Sequence, residues 1–175
     1  MRGTAQVRAA SAVLLCLISA QPARASEDCA KLVFNTWCLG GGASTLPRGA
    51  AVPATGTGAL QFTDGDKTVH VDLERGRIVH VWREEPPGSW ISYLDWRNKL
   101  IRIYGRGTEV KNFPPSATSR SSRLNAVIRG EGRAETFWML PGWRVAVIWE
   151  TQAYVQLSYR LQKAAQAGSG SSEGL

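Results

Sequence analysis

From Trp138 to Tyr159 apolar side chains recur with a spacing of two, and few folds accommodate that pattern in a chain of 175 residues. Trp138, Leu140, Trp143, Val145, Val147, Trp149, Ala153, Val155, Leu157 and Tyr159 all reach one face of a three-stranded meander under two conditions. Pro141-Gly142 has to turn the chain so that Leu140 meets Trp143, and the loop after Trp149 has to hold an odd number of residues. Spacing of two signals strands, because successive side chains leave opposite sides of the pleat. A slip of one residue would throw half of this set into water, so the register is strongly specified. A sheet with one apolar face needs a cover. Helices supply it in a two-layer α+β sandwich.

Two segments have helical spacing. Tyr93, Trp96, Leu100, Ile103 and Tyr104 fall on one face, widened by Leu94 and Ile101, while Asp95, Asn98, Lys99 and Arg102 fill the other. Ser92 is the expected cap and Gly105 the expected stop. A second helix is expected from Ala117 to Arg129, with Ala117, Ser121, Leu124, Val127 and Ile128 inward and Gly130 ending it. Thr68 to Arg83 reads as an N-terminal β-hairpin in which Val69, Val71 and Leu73 alternate with polar residues, as do Val79 and Val81. A three-residue loop at Glu74-Arg75-Gly76 pairs Val71 with Val79 and sets His70 opposite His80.

The expected architecture is therefore an antiparallel sheet, the hairpin plus the meander, packed against two helices. Ser26-Glu27-Asp28 before Ala30-Lys31-Leu32-Val33-Phe34 predicts a short N-terminal helix with a serine cap and an acidic first turn. Residues 40–58 hold six glycines and two prolines and are expected to form a flexible loop. Residues 168–175 are expected to be a disordered tail, which leaves 26–167 as a single α+β domain.

The first 25 residues carry a different signature. Arg2 and Arg8 precede an apolar run from Ala9 to Ala20, and Ala23-Arg24-Ala25 supplies small residues at the positions a signal peptidase requires. The run is about 12 residues, short of the about 20 that span a bilayer, so a signal peptide at 1–25 is expected rather than a transmembrane anchor. The mature chain is then periplasmic or secreted. Losing Arg2, Arg8 and Arg24 takes 21 basic residues to 18 against 14 acidic ones, a net charge of +4 instead of +7. Much of the basic balance thus belongs to targeting, and no nucleic-acid partner is expected from it. Cys29 and Cys38 are the cysteines of the mature chain, and in an oxidising compartment they are expected to form a disulfide.

The segment Val33-Phe34-Asn35-Thr36-Trp37-Cys38-Leu39-Gly40-Gly41, the helix closing in Tyr104-Gly105, and Arg129-Gly130-Glu131-Gly132-Arg133 before a Trp-containing strand resemble small exported bacterial α+β proteins. That resemblance implies export and an α+β fold, and it implies no activity.

Candidate functional residues come in three groups. His70 and His80, set opposite each other with Asp72 on the same face, are a weak candidate metal site, since cross-strand partners lie about 4.5–5.5 Å apart at Cβ. Trp82 and Trp90, outside the expected core face, are candidates for a stacking surface, with Arg97 near them. Charge is the third. Residues 97–133 carry nine basic side chains against Glu109 and Glu131, or +7, and the rest of the mature chain carries −3. Arg97, Arg102, Arg120 and Arg123 are thus the candidate contacts to an anionic envelope component or an acidic protein surface. No nucleotide, dinucleotide, zinc-protease or serine-elbow motif occurs, and no cofactor is implied. The expected function is binding through a basic helical surface, with an inhibitor or immunity-type protein and a hydrolase of unrecognised site as alternatives.

Overall fold

The computed structural model describes residues 29–162. The expectations for the signal peptide at 1–25 and the tail at 168–175 lie outside those residues. In chain order the elements are β1 (Lys31–Val33), β2 (Trp37–Leu39), a 3-10 turn (Ala43–Thr45), β3 (Gly58–Asp64), β4 (Lys67–Glu74) and β5 (Arg77–Glu85). They continue with α1 (Trp90–Tyr104), β6 (Thr108–Asn112), α2 (Arg120–Ile128), β7 (Arg133–Leu140), β8 (Trp143–Trp149) and β9 (Val155–Leu161).

The hairpin and the meander belong to one seven-stranded antiparallel sheet of order β3-β4-β5-β9-β8-β7-β6, joined where β5 pairs with β9. The meander has the expected register. Leu140 pairs with Trp143, and the five residues 150–154 carry the chain from β8 to β9. Trp138, Val145, Val147, Trp149, Val155, Leu157 and Tyr159 are buried, whereas Ala153 lies in the exposed loop. Each fully buried aliphatic side chain contributes about 1.5–3 kcal/mol of apolar burial, and together they hold this register.

α1 and α2 cover the apolar face, with Trp90, Tyr93, Leu100 and Val127 joining the same core as the sheet residues. α1 starts earlier than expected because Ser89, not Ser92, is its cap, accepting a hydrogen bond from the Ser92 amide at 3.0 Å. Gly105 ends the helix as expected, and the Trp138 indole donates to the Gly105 carbonyl at 2.8 Å. The chain then passes so close to the sheet that a Cβ at Gly107 would lie 2.7 Å from the Trp138 ring. Ile103 and Ile128, expected inward, are exposed. α2 is shorter than expected and begins at a capping box formed by Ser119 and Ser122.

Two other expectations are corrected. The short N-terminal helix is a hairpin, β1 with β2, because that arrangement sends Val33, Trp37 and Leu39 together into the core. A helix of this length is marginal alone and buries one face only. Cys29 and Cys38 are joined as expected, with Cα atoms 5.4 Å apart, so the corrected hairpin is also crosslinked. Residues 40–58 are mostly loop, with a 3-10 turn at Ala43–Thr45 and a buried Leu46, and the Gly76 amide donates to Gly56 O at 2.7 Å.

The second correction is the β4–β5 register. Arg75 and Gly76 both have positive φ and make a two-residue turn, so Glu74 pairs with Arg77. A bulge then leaves Val79 without a partner, so that His80 meets Asp72, Val81 meets Val71, and Trp82 meets His70. With that turn and no bulge, His80 would oppose Val71 on the core face. Burial of Ile78 and Val81 on one side selects the bulged form.

Candidate functional site

Helices and the β1–β2 hairpin occupy one face of the sheet, and no described element covers the other. Strand alternation and register place its side chains in rows. One row runs His70, Trp82, Ser158, Ala146, Phe137, and the next runs Asp72, His80, Arg160, Arg144, Met139. A third runs Glu84, Gln156, Ile148, Glu135, Val110. A polar cavity of about 240 Å³ opens among them, with His80, Ser158, Arg144, Arg160, Glu135 and Gln156 in its lining.

His80 is the most constrained group there, only 6% exposed. Its Nδ1 lies 2.8 Å from Asp72 Oδ2, and its Nε2 lies 2.8 Å from Ser158 Oγ. An ionised carboxylate accepts only, so Nδ1 carries the proton given to Asp72, and Nε2 accepts from the Ser158 hydroxyl. Arg160 Nη2, 3.2 Å from Nδ1, then adds positive charge rather than a hydrogen bond. Desolvation holds the His80 pKa below its ordinary value, opposed by the Asp72 hydrogen bond and reinforced by Arg160. The imidazole is therefore a neutral base at neutral pH.

Register places His70 beside Trp82 instead of opposite His80. The two rings stack with centroids 3.6 Å apart, and His70 Nε2 lies 3.1 Å from Glu84 Oε1. Among the described residues no cluster of three His, Cys, Asp or Glu side chains suits a metal ion. Nothing in the geometry supports the His70/His80 metal site.

The remaining sequence candidates lie on the helical layer. Trp90 is buried, packed against Tyr93, Phe113 and Trp149, with the Arg123 guanidinium 4.6 Å and the Lys111 ammonium 5.6 Å from its ring centroid. Trp82 and Trp90 thus stand on opposite sides of the sheet and form no common stacking surface. Arg120 lines an apolar cleft of about 160 Å³ with Trp90, Ile91 and Leu124. Arg97 faces Glu109 at 3.8 Å. Arg102 sits in the last turn of α1.

Each side carries both paired and unpaired arginines. On the sheet face Arg144 pairs with Glu135, and Arg133 pairs with Glu135 and Glu150. On the helical side Arg102, Arg106 and Arg120 have no carboxylate partner among the described residues, and Ile91, Ile103 and Ile128 are exposed on the same layer. No described helix is long and apolar enough to cross a membrane.

Ser158, Arg160 and Arg144 escaped the sequence reading. Their signal was present as the complement of the apolar alternation: once Val145, Val147, Leu157 and Tyr159 point inward, the residues between them point to the open face. Comparison with protein-family models, curated proteins and solved structures found no match.

Proposed function

We propose that the chain is an exported binding protein that rests its helical layer on an anionic lipid surface of the cell envelope. The observation that carries this reading is the coincidence of uncompensated arginines with exposed isoleucines on one side of the molecule. Arg120 with Ile91 lies at the start of α1, and Arg102 with Ile103 at its end. A helix of 15 residues separates them by roughly 20 Å. Guanidinium groups reach phosphate oxygens while the isoleucines enter the headgroup boundary, a combination suited to a peripheral contact. Export rests on the residue pattern at 1–25 and puts the chain where such lipids are available.

Each arginine near an anionic bilayer contributes about 1 kcal/mol, attenuated beyond a Debye length of about 8 Å at physiological salt. Cosedimentation of the mature chain with phosphatidylglycerol vesicles tests this. Replacing Arg102, Arg106 and Arg120 together by glutamine should weaken binding about a hundredfold, and raising the salt should release the wild type. Equal binding to phosphatidylcholine vesicles, or insensitivity to salt, would refute the proposal. N-terminal sequencing of the exported product should begin at Ser26.

A further inference from the structure

The open face of the sheet carries a second chemistry, independent of the helical layer. Asp72, His80 and Ser158 come from three adjacent strands, β4, β5 and β9. Asp72 is the cross-strand partner of His80, and Ser158 is its diagonal neighbour, since His80 pairs with Arg160 two residues on. The two contacts of 2.8 Å use the two imidazole nitrogens in the order carboxylate to Nδ1 and Nε2 to hydroxyl. That connectivity lets a serine surrender its proton as it attacks, with the imidazolium steadied by the carboxylate.

The surroundings add a reason beyond satisfying a buried histidine. Ser158 and His80 line the 240 Å³ cavity, and the cavity also receives Arg144 and Arg160, which face each other directly across β8 and β9. Like charges in opposed positions repel. Arg144 is compensated by Glu135, but among the described residues Arg160 has no carboxylate partner and Arg144 Nε no acceptor. The pair thus leaves spare positive charge on the wall of the cavity that Ser158 also lines. Trp82, the cross-strand partner of Ser158, stacks on His70 and has the Tyr154 ring at 6.3 Å, beside the cavity's lining.

We propose that Ser158 is a nucleophile, with His80 its general base and Asp72 a positioning residue, acting on small carboxylic esters admitted to this cavity. Ser158 Oγ bonds to the ester carbonyl carbon while its proton moves to His80 Nε2. The carbonyl oxygen takes up the electron pair and is held by the Arg144 and Arg160 guanidiniums. Collapse of this adduct breaks the ester C–O bond, and the proton on Nε2 passes to the departing alkoxide, which leaves as alcohol. Water, deprotonated by Nε2, then attacks the acyl-serine and releases the carboxylic acid, returning the proton to Ser158. One ester and one water become one acid and one alcohol.

The mature chain with its disulfide intact is exposed to diisopropyl fluorophosphate and followed by intact mass, with peptide mapping of the adduct. A single adduct on Ser158 is expected, absent in Ser158→Ala. His80→Gln should slow labelling on the order of 10³-fold or more. Asp72→Asn should slow it and also move the midpoint of its pH profile downward, since Asp72 favours the imidazolium against Arg160 and His70; a merely structural role would not move that midpoint. If Ser158→Ala fails to fold, Ser158→Cys keeps a side chain near Nε2, and its thiol should be alkylated by iodoacetamide faster than a free thiol. An unlabelled wild type, an adduct on another serine, or sluggish alkylation of the Ser158→Cys variant would each overturn the assignment. Vesicle binding is untouched by any of these outcomes, so the two proposals fail separately.

Discussion

A histidine buried between a carboxylate and a hydroxyl ties the stability of this sheet to pH. Desolvation lowers the His80 pKa in the folded chain relative to the 6.5 of an unfolded one. Between those values the folded state binds fewer protons, so stability rises with pH. The contribution is complete above the unfolded value and is lost as pH falls through the folded value. Melting temperature should therefore change little on this account above about pH 7 and decline below it. His80→Gln should flatten the acid side of that curve in calorimetry, and parallel curves for both proteins would contradict the assignment. At this scale the sequence was partly legible. His80 and Asp72 were visible only as candidate metal ligands alongside His70, and Ser158 lies 78 residues from His80, so that only strand pairing makes them neighbours.

Among elements, the clearest lesson comes from the β4–β5 hairpin. Alternation alone could not choose between a three-residue loop and a two-residue turn followed by a bulge, because both keep Val69, Val71 and Leu73 inward. Choosing required knowing that Ile78 also has a core to enter. The turn retains a local cost, since Arg75 adopts φ 50° at a position that favours asparagine or glycine. Arg75→Asn should raise stability by about 0.5–1 kcal/mol, measured as a higher urea midpoint with unchanged slope. A lower midpoint would mean that the arginine side chain contributes more than the backbone loses. The edge strands β3 and β6 were missed for another reason. β6 exposes all five of its residues, so it leaves no periodic apolar trace.

For the molecule as a whole, the sheet acts as a partition. Helices and their uncompensated arginines lie on one side, and the Asp72–His80–Ser158 relay lies on the other. Cationic contact and serine chemistry should then be separable by mutation, as expected for distant sites with no shared partners. The glutamine variant at Arg102, Arg106 and Arg120 should react with the fluorophosphate at the wild-type rate, read from the same mass spectra. A changed rate would show coupling through the core.

The α+β class, the meander register and both helices followed from the sequence alone, because hydrophobic periodicity and caps are local signals that the later packing respects. Assembly of the seven-stranded sheet, conversion of the N-terminal helix to a hairpin, and the meeting of β4, β5 and β9 residues around one cavity were decided by tertiary structure. Those outcomes depend on which apolar faces find each other across the chain, and a pairing energy between distant segments leaves no periodic mark on either one.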